Sequence, residues 1–125
     1  MPDQRLMSEG IPSGILSRIL STLSLAMKAG RVTSGETIVL TDIKQGRSKL
    51  LLIAEDASDG TKKKFTDKSG SYDVPCYILG TKESIAHAIG KEMRSVVSVN
   101  DKGFADTMIS RLEEADINGE QQKSK

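Results

Sequence analysis

The chain has 125 residues, of which 37% are apolar, 28% charged and only 3% aromatic, with 18 Lys and Arg against 17 Asp and Glu. That length suits one domain, and the mix excludes collagen-like, low-complexity and wholly disordered classes. No apolar run approaches the ~20 residues that span a bilayer, no basic-then-apolar leader opens the chain, and the single Cys76 makes no internal disulfide, so a cytoplasmic protein away from membranes is expected.

In chain order, residues 1–12 are polar and expected to be disordered. Leu16, Ile19, Leu20, Leu23, Ala26 and Met27 then follow the spacing of one helical face, and Gly30 supplies a stop. A short strand at Arg31–Val32 leads to Thr33, which stands three residues before Glu36. That is the spacing of a capping box, and it predicts a second helix running to about Gln45. Leu50–Ala54 is a continuous apolar run, as expected of a central strand covered on both faces with parallel neighbours. A turn at Ser58–Gly60 precedes a polar helix, Thr61–Tyr72, anchored by Phe65 and Tyr72. Val74–Leu79 reads as a strand, with Pro75 marking its start or a sheet edge. Lys82–Ile89 is helical with Ile85, Ala88 and Ile89 inward, Ser95–Val99 is a strand, and Lys102–Ala115 is a helix carrying Phe104, Met108 and Leu112 on one side. The residues after 117 are expected to form a disordered tail.

Helix and strand alternate with short connections and no repeat. The natural packing is an α/β fold: a three-layer α/β/α sandwich around a four-stranded mixed sheet, as one domain over residues 13–117. Charge is distributed unevenly within it. Residues 26–100 hold 12 basic and 9 acidic side chains, whereas residues 101–125 hold 4 and 6. A polyanion would therefore meet a local patch, with the acidic tail turned away.

Several chemistries can be weighed against this frame. A hydrolase would need Cys76 and His87, eleven residues apart, to meet beside an orienting acid. No nucleophile elbow accompanies them, and a packed strand cysteine with a partly exposed helical histidine accounts for both. One His and one Cys fall short of a zinc site, and Glu55-Asp56 with Asp59 lacks the calcium-loop pattern. Gly90-Lys91-Glu92 ends in a carboxylate where a phosphate loop carries a hydroxyl. Neither catalysis nor any cofactor is expected.

The basic features say more. Lys62-Lys63-Lys64 opens a helix, Arg47 and Lys49 precede the central strand, and Lys91 and Arg94 bracket a loop. A lysine run alone is commonly a solvated face, but these elements are expected to border one end of the sheet. The helix start after Thr33 adds free backbone N–H groups suited to phosphate oxygens. So few rings argue against domains that stack bases on aromatics and favour recognition by shape and backbone.

Leu25–Glu36, Gly46–Ser58, Thr61–Lys64, Val74-Pro75 and Ala88–Glu92, in that order, resemble the kink-turn-binding ribosomal protein family (the L-seven-Ae/L-thirty-e superfamily) in its bacterial YlxQ-like branch. The likeness covers roughly residues 15–110 and implies the same α/β/α sandwich. It also implies a non-catalytic RNA-binding protein, in a ribosomal or other ribonucleoprotein setting, with structured RNA as partner. In such proteins the start of the second helix enters the groove beside sheared G·A pairs, and a loop after the fourth helix covers bulged nucleotides. The resemblance places Lys28, Arg31, Thr33, Ser34 and Gly35 at the beginning of that surface and Lys91, Glu92, Met93 and Arg94 on the covering loop; Lys62, from the lysine run, is expected to join the RNA-binding residues.

The chain departs from the family pattern where RNA-binding members carry Asn and Glu two and three residues after the glycine, then Lys three further on. Here those places hold Thr37, Ile38 and Thr41. An Asn–Glu pair donates to and accepts from guanine edges, and isoleucine does neither. A weakened kink-turn readout on a retained scaffold is expected. For Glu36 two uses stand open, an RNA-facing acceptor or a capping-box member. The other function class is a protein-interaction module that exposes Ile38 and Met93 on the same fold.

Overall fold

A computed structural model describes residues 11–123, with side chains through residue 115. Ile11 is buried, and the Pro12 carbonyl accepts from Ile15 and Leu16 N–H (3.0 and 3.1 Å) to start α1 (Ser13–Lys28). Most of the expected disordered opening, residues 1–10, lies outside the described residues. The α1 stripe points inward as its spacing requires: Ile19, Leu23 and Ala26 are buried, while Leu16, Leu20 and Met27 pack partly against the core.

β1 spans Val32–Ser34, later than the Arg31–Val32 strand expected, and α2 spans Glu36–Lys44. Thr33 is therefore a strand residue, and the predicted capping box does not form. Gly35 takes the cap position with φ 95° and ψ 145°, and no side chain caps the helix. The Thr33 hydroxyl instead donates to the Asp42 carboxylate, a stronger acceptor than water offers a half-buried hydroxyl.

β2 (Leu50–Ile53), β3 (Cys76–Ile78) and β4 (Val96–Val99) complete a four-stranded sheet in the order β1-β4-β2-β3. Every residue of β2 is buried, as its unbroken apolar run requires. Its neighbours correct one expectation: β3 is parallel to it (Leu51 opposite Cys76), but β4 is antiparallel (Leu51 opposite Ser98). β1 is also antiparallel to β4. Pro75 stands just before edge strand β3, and its carbonyl accepts from Leu51 N–H at 2.9 Å. A residue without an N–H fits that position.

α3 (Asp59–Ser71) starts earlier than expected, because the Ser58 hydroxyl accepts from Thr61 N–H at 3.1 Å and so turns the predicted loop into a cap and first turn. Phe65 is fully buried, but the other predicted anchor, Tyr72, is the C-cap and is 46% exposed. α4 (Lys82–Ile89) carries a capping box between Thr81 and Ser84 and buries Ile85, Ala86 and Ile89; the predicted Ala88 is only partly buried. α5 (Lys102–Lys123) buries Met108 and Leu112, with Phe104 packed at the margin. It continues past the Ala115 end expected from the sequence and overlaps the expected tail; residues 124–125 lie outside the described residues.

α1 packs on α4 and α5, and α2 packs on α3 and on β1 and β4. The sheet lies between these two helical layers, with an almost wholly aliphatic core in which Phe65 is the largest fully buried side chain.

Candidate functional site

β1, β2 and β3 run in one direction and β4 runs against them. Their carboxyl ends, with the start of β4, therefore form a front end of the sheet, where the connections into α2, α3 and α4 and out of α4 all open. Ligands of open α/β sheets bind outside the carboxyl ends of strands, because crossovers leave a crevice there.

Gly35 makes the first bend. Its N–H donates to the Val96 carbonyl at 3.2 Å, tying the β1–α2 junction to β4. Its φ and ψ lie in a region that side-chain-bearing residues avoid. A Cβ built there would meet nothing within 4 Å, so the need for glycine is conformational and the space in front of it is open. With no side-chain cap, the first-turn N–H groups of α2 remain free for an acceptor.

Glu36 turns toward α3. It accepts from the Thr61 hydroxyl at 2.9 Å and stands 3.9 Å from the Lys64 ammonium. It is therefore neither a capping-box member nor an unengaged acceptor. Thr37, Ile38 and Thr41 line the outward face of α2, all exposed, with Ile38 at 54%. The Thr41 hydroxyl donates back to the Thr37 carbonyl at 3.1 Å. The opposite face buries Val39, Asp42 and Ile43.

The Lys91–Arg94 loop closes over this junction. Gly90 ends α4 in the left-handed region, and Lys91 N–H donates to the Ala86 carbonyl at 2.9 Å. Arg94 Nε donates to Ser34 Oγ at 3.0 Å, its Nη1 donates to the Glu92 and Met93 carbonyls, and its N–H donates to the Lys82 carbonyl at 3.3 Å. Arg94 thus staples the loop to the end of β1. Met93, at φ 33°, is held 57% exposed. From the lysine run, Lys63 pairs with Asp67 (3.2 Å) and Lys64 with Glu36, and Lys62 is left without an ion-pair partner among the described residues.

Ser34, Gly35, Glu36, Thr37, Ile38, Lys62, Lys91, Glu92, Met93 and Arg94 thus share the front end, with Thr41 one turn further along α2. Thr33 does not belong there: its hydroxyl enters a buried network with Asp42, Asn100, Ser98 and Ser48, into which Arg47 also donates through Nε at 2.9 Å. Lys28 and Arg31 precede β1 at the opposite, back end, where Arg31 pairs with Asp101 at 4.0 Å. Arg47 and Lys49 precede β2 and are at the back end too, so the basic segments do not all border one sheet end. Sequence reasoning missed Ser58, Thr61 and Asp56. Asp56 accepts from Lys82 N–H at 2.8 Å and fixes the start of α4. The Ser58-x-x-Thr61 spacing is the signal that could have revealed the first two.

The other chemistries gain no geometry. Cys76 is buried in β3, and His87 is exposed on α4. No group of three or more His, Cys, Asp or Glu among the described residues could hold a metal ion, and no described helix is long and apolar enough to cross a membrane.

Residues 17–109 match the ribosomal protein L7Ae/L30e/S12e/Gadd45 family. The chain is 46% identical over 91 residues to "RNA-binding protein YlxQ" of Bacillus subtilis (strain 168), covering 73% of this chain and 91% of that one. It is 40% identical over 92 residues to the protein of the same name from Enterococcus faecium, covering 74% and 88%. Among solved structures, a protein of unknown function from Bacillus halodurans superposes with a TM-score of 0.73 at 36% identity, covering 76% of this chain and 96% of that one. A Giardia lamblia 15.5kD RNA binding protein shares the fold at a TM-score of 0.71 and 17% identity, covering 82% and 90%.

Proposed function

The chain belongs to the ribosomal protein L7Ae/L30e/S12e/Gadd45 family, and from that membership we propose that it is a non-catalytic RNA-binding protein that grips structured, kink-turn-like RNA at the front end of its sheet. The observation that carries this reading is a convergence. The uncapped start of α2, the Lys62 side of α3 and the Arg94-stapled loop meet at one sheet end, with Gly35 open between them. Two relatives whose names say they bind RNA support it. In this reading the protein is cytoplasmic and bacterial and works on or near the ribosome.

The mechanism is selection of shape. Backbone N–H groups at the start of α2 and the cations around them donate to phosphate oxygens only where the RNA backbone is bent toward them. The bent conformer is bound better and its population rises. The base-reading step is blunted, because Ile38 offers no donor or acceptor and the Thr41 hydroxyl is spent on its own helix. The triple variant T37N/I38E/T41K is expected to bind a tandem G·A kink-turn more than ~10-fold tighter than the natural chain in a gel shift, since each bidentate base contact contributes about 1–3 kcal/mol. Tight binding by the natural chain, or no gain in the variant, contradicts the altered readout.

A second reading rests on one observation. Ile38 and Met93, both more than half exposed, sit on α2 and the covering loop of the same end, which suits a protein partner docking there. A binding constant indifferent to salt would favour it.

A further inference from the structure

The back end of the sheet carries features that the front-end reading does not use. A cleft of about 480 Å³ lies there, between the end of α2 with the loop after it and the segment joining α3 to β3. Lys44, Gly46, Lys49, Tyr72 and Asp73 are among its lining residues. Tyr72 stands apart in a chain with so few rings: Phe65 and Tyr77 are buried and Phe104 is partly buried, leaving Tyr72 as the one large exposed ring among the described residues. A half-exposed ring lining an open cleft offers a face on which a base can stack.

The charges beside it are cationic and little committed. Among the described residues, Lys49 Nζ donates to the Gly46 carbonyl at 3.2 Å and makes no ion pair, nor does Lys44. Further along the same end stand Lys28 and Arg31. The Arg31–Asp101 contact, long at 4.0 Å and exposed, holds the guanidinium weakly. Asp73, held in the left-handed region at φ 56°, is the one carboxylate lining the cleft.

We propose that this cleft is a second binding site, for a single unstacked nucleotide of an RNA strand, with the base on the Tyr72 ring and the phosphate between the Lys44 and Lys49 ammonium groups. Asp73 would accept from an exocyclic amine, which favours adenine, cytosine or guanine over uracil. The strand then runs along the back end toward Arg31. Protein and RNA together would place two RNA segments on opposite ends of one sheet. The proposal does not depend on kink-turn recognition at the front.

The test is a titration of the full chain at low salt with a hexaadenylate, which has no kink, followed by amide chemical shifts. Shifts are expected at Lys44, Gly46, Lys49, Tyr72 and Asp73. Tyr72→Ala should weaken binding about tenfold, in line with stacking on an aromatic side chain, while Tyr72→Phe keeps it. Lys44→Glu with Lys49→Glu should abolish it, while the thermal unfolding midpoint of these variants stays within a few degrees of that of the natural chain. Adenosine monophosphate is the second probe: much weaker binding than the hexamer supports an RNA strand, and equal binding reassigns the same chemistry to a free nucleotide. Shifts confined to Gly35–Ile38 and Lys91–Arg94, or a Tyr72→Ala variant that binds the hexamer as well as the natural chain, would overturn the site.

Discussion

Gly35 and Asp42, seven residues apart in the chain, do different work at residue scale. Gly35 holds a backbone conformation reserved for glycine, in open space, so Gly35→Ala is expected to destabilise the fold by about 1–3 kcal/mol through backbone strain alone. Chemical denaturation would measure this, and a neutral result would show that the junction relaxes freely. Asp42 is 2% exposed, and it accepts from Thr33, Arg47 and Asn100. Asp42→Ala leaves those donors without their acceptor and is expected to destabilise by about 1–3 kcal/mol. Thr33→Val, which removes one donor while keeping shape, should be milder. This network also explains why the Thr33–Glu36 spacing misled. A capping box is a local rule, and Thr33 has a carboxylate partner nine residues on that only the fold brings near.

At the scale of elements, what was legible followed from burial. The α1 stripe and the β2 run are periodic or continuous because one face or both faces are covered, and covering is written in composition. The boundaries at β1, α3 and α5 were less legible. They depend on whether a side chain such as Ser58 finds a backbone N–H, and that is settled by competition among several polar groups. The start of α4 gives the clearest test. Its Thr81–Ser84 box satisfies two N–H groups, and the Lys82 carbonyl also receives the Arg94 N–H from the covering loop. Thr81→Ala is expected to lower stability by about 1 kcal/mol. It should also raise hydrogen exchange at Arg94 more than in β2. Equal exchange changes at both places would mean that the loop does not lean on α4.

At the scale of the molecule, strand direction decides which charges act together. The sequence shows where cations lie along the chain but not which sheet end each one reaches. β2 itself separates Lys62 from Arg47 and Lys49, and the antiparallel placing of β4 between β1 and β2 puts Arg94 at the end with Lys62 and Arg31 at the other. A chain with nearly balanced charge can then still bind a polyanion, through local patches. If the front end contacts ~3–5 phosphates, log K for a kink-turn should fall against log salt with a slope of about −3 to −4. A slope near zero would count against RNA at that surface and for a protein partner.

α2 separates two duties by angle. Val39, Asp42 and Ile43 belong to the interior, while Thr37, Ile38 and Thr41 are exposed. The outward letters of this helix can therefore be rewritten without renegotiating stability. If α2 reads RNA as proposed, a lineage could drift from one target to another by changing three surface positions, and a designer could reprogram the same scaffold by the same three changes.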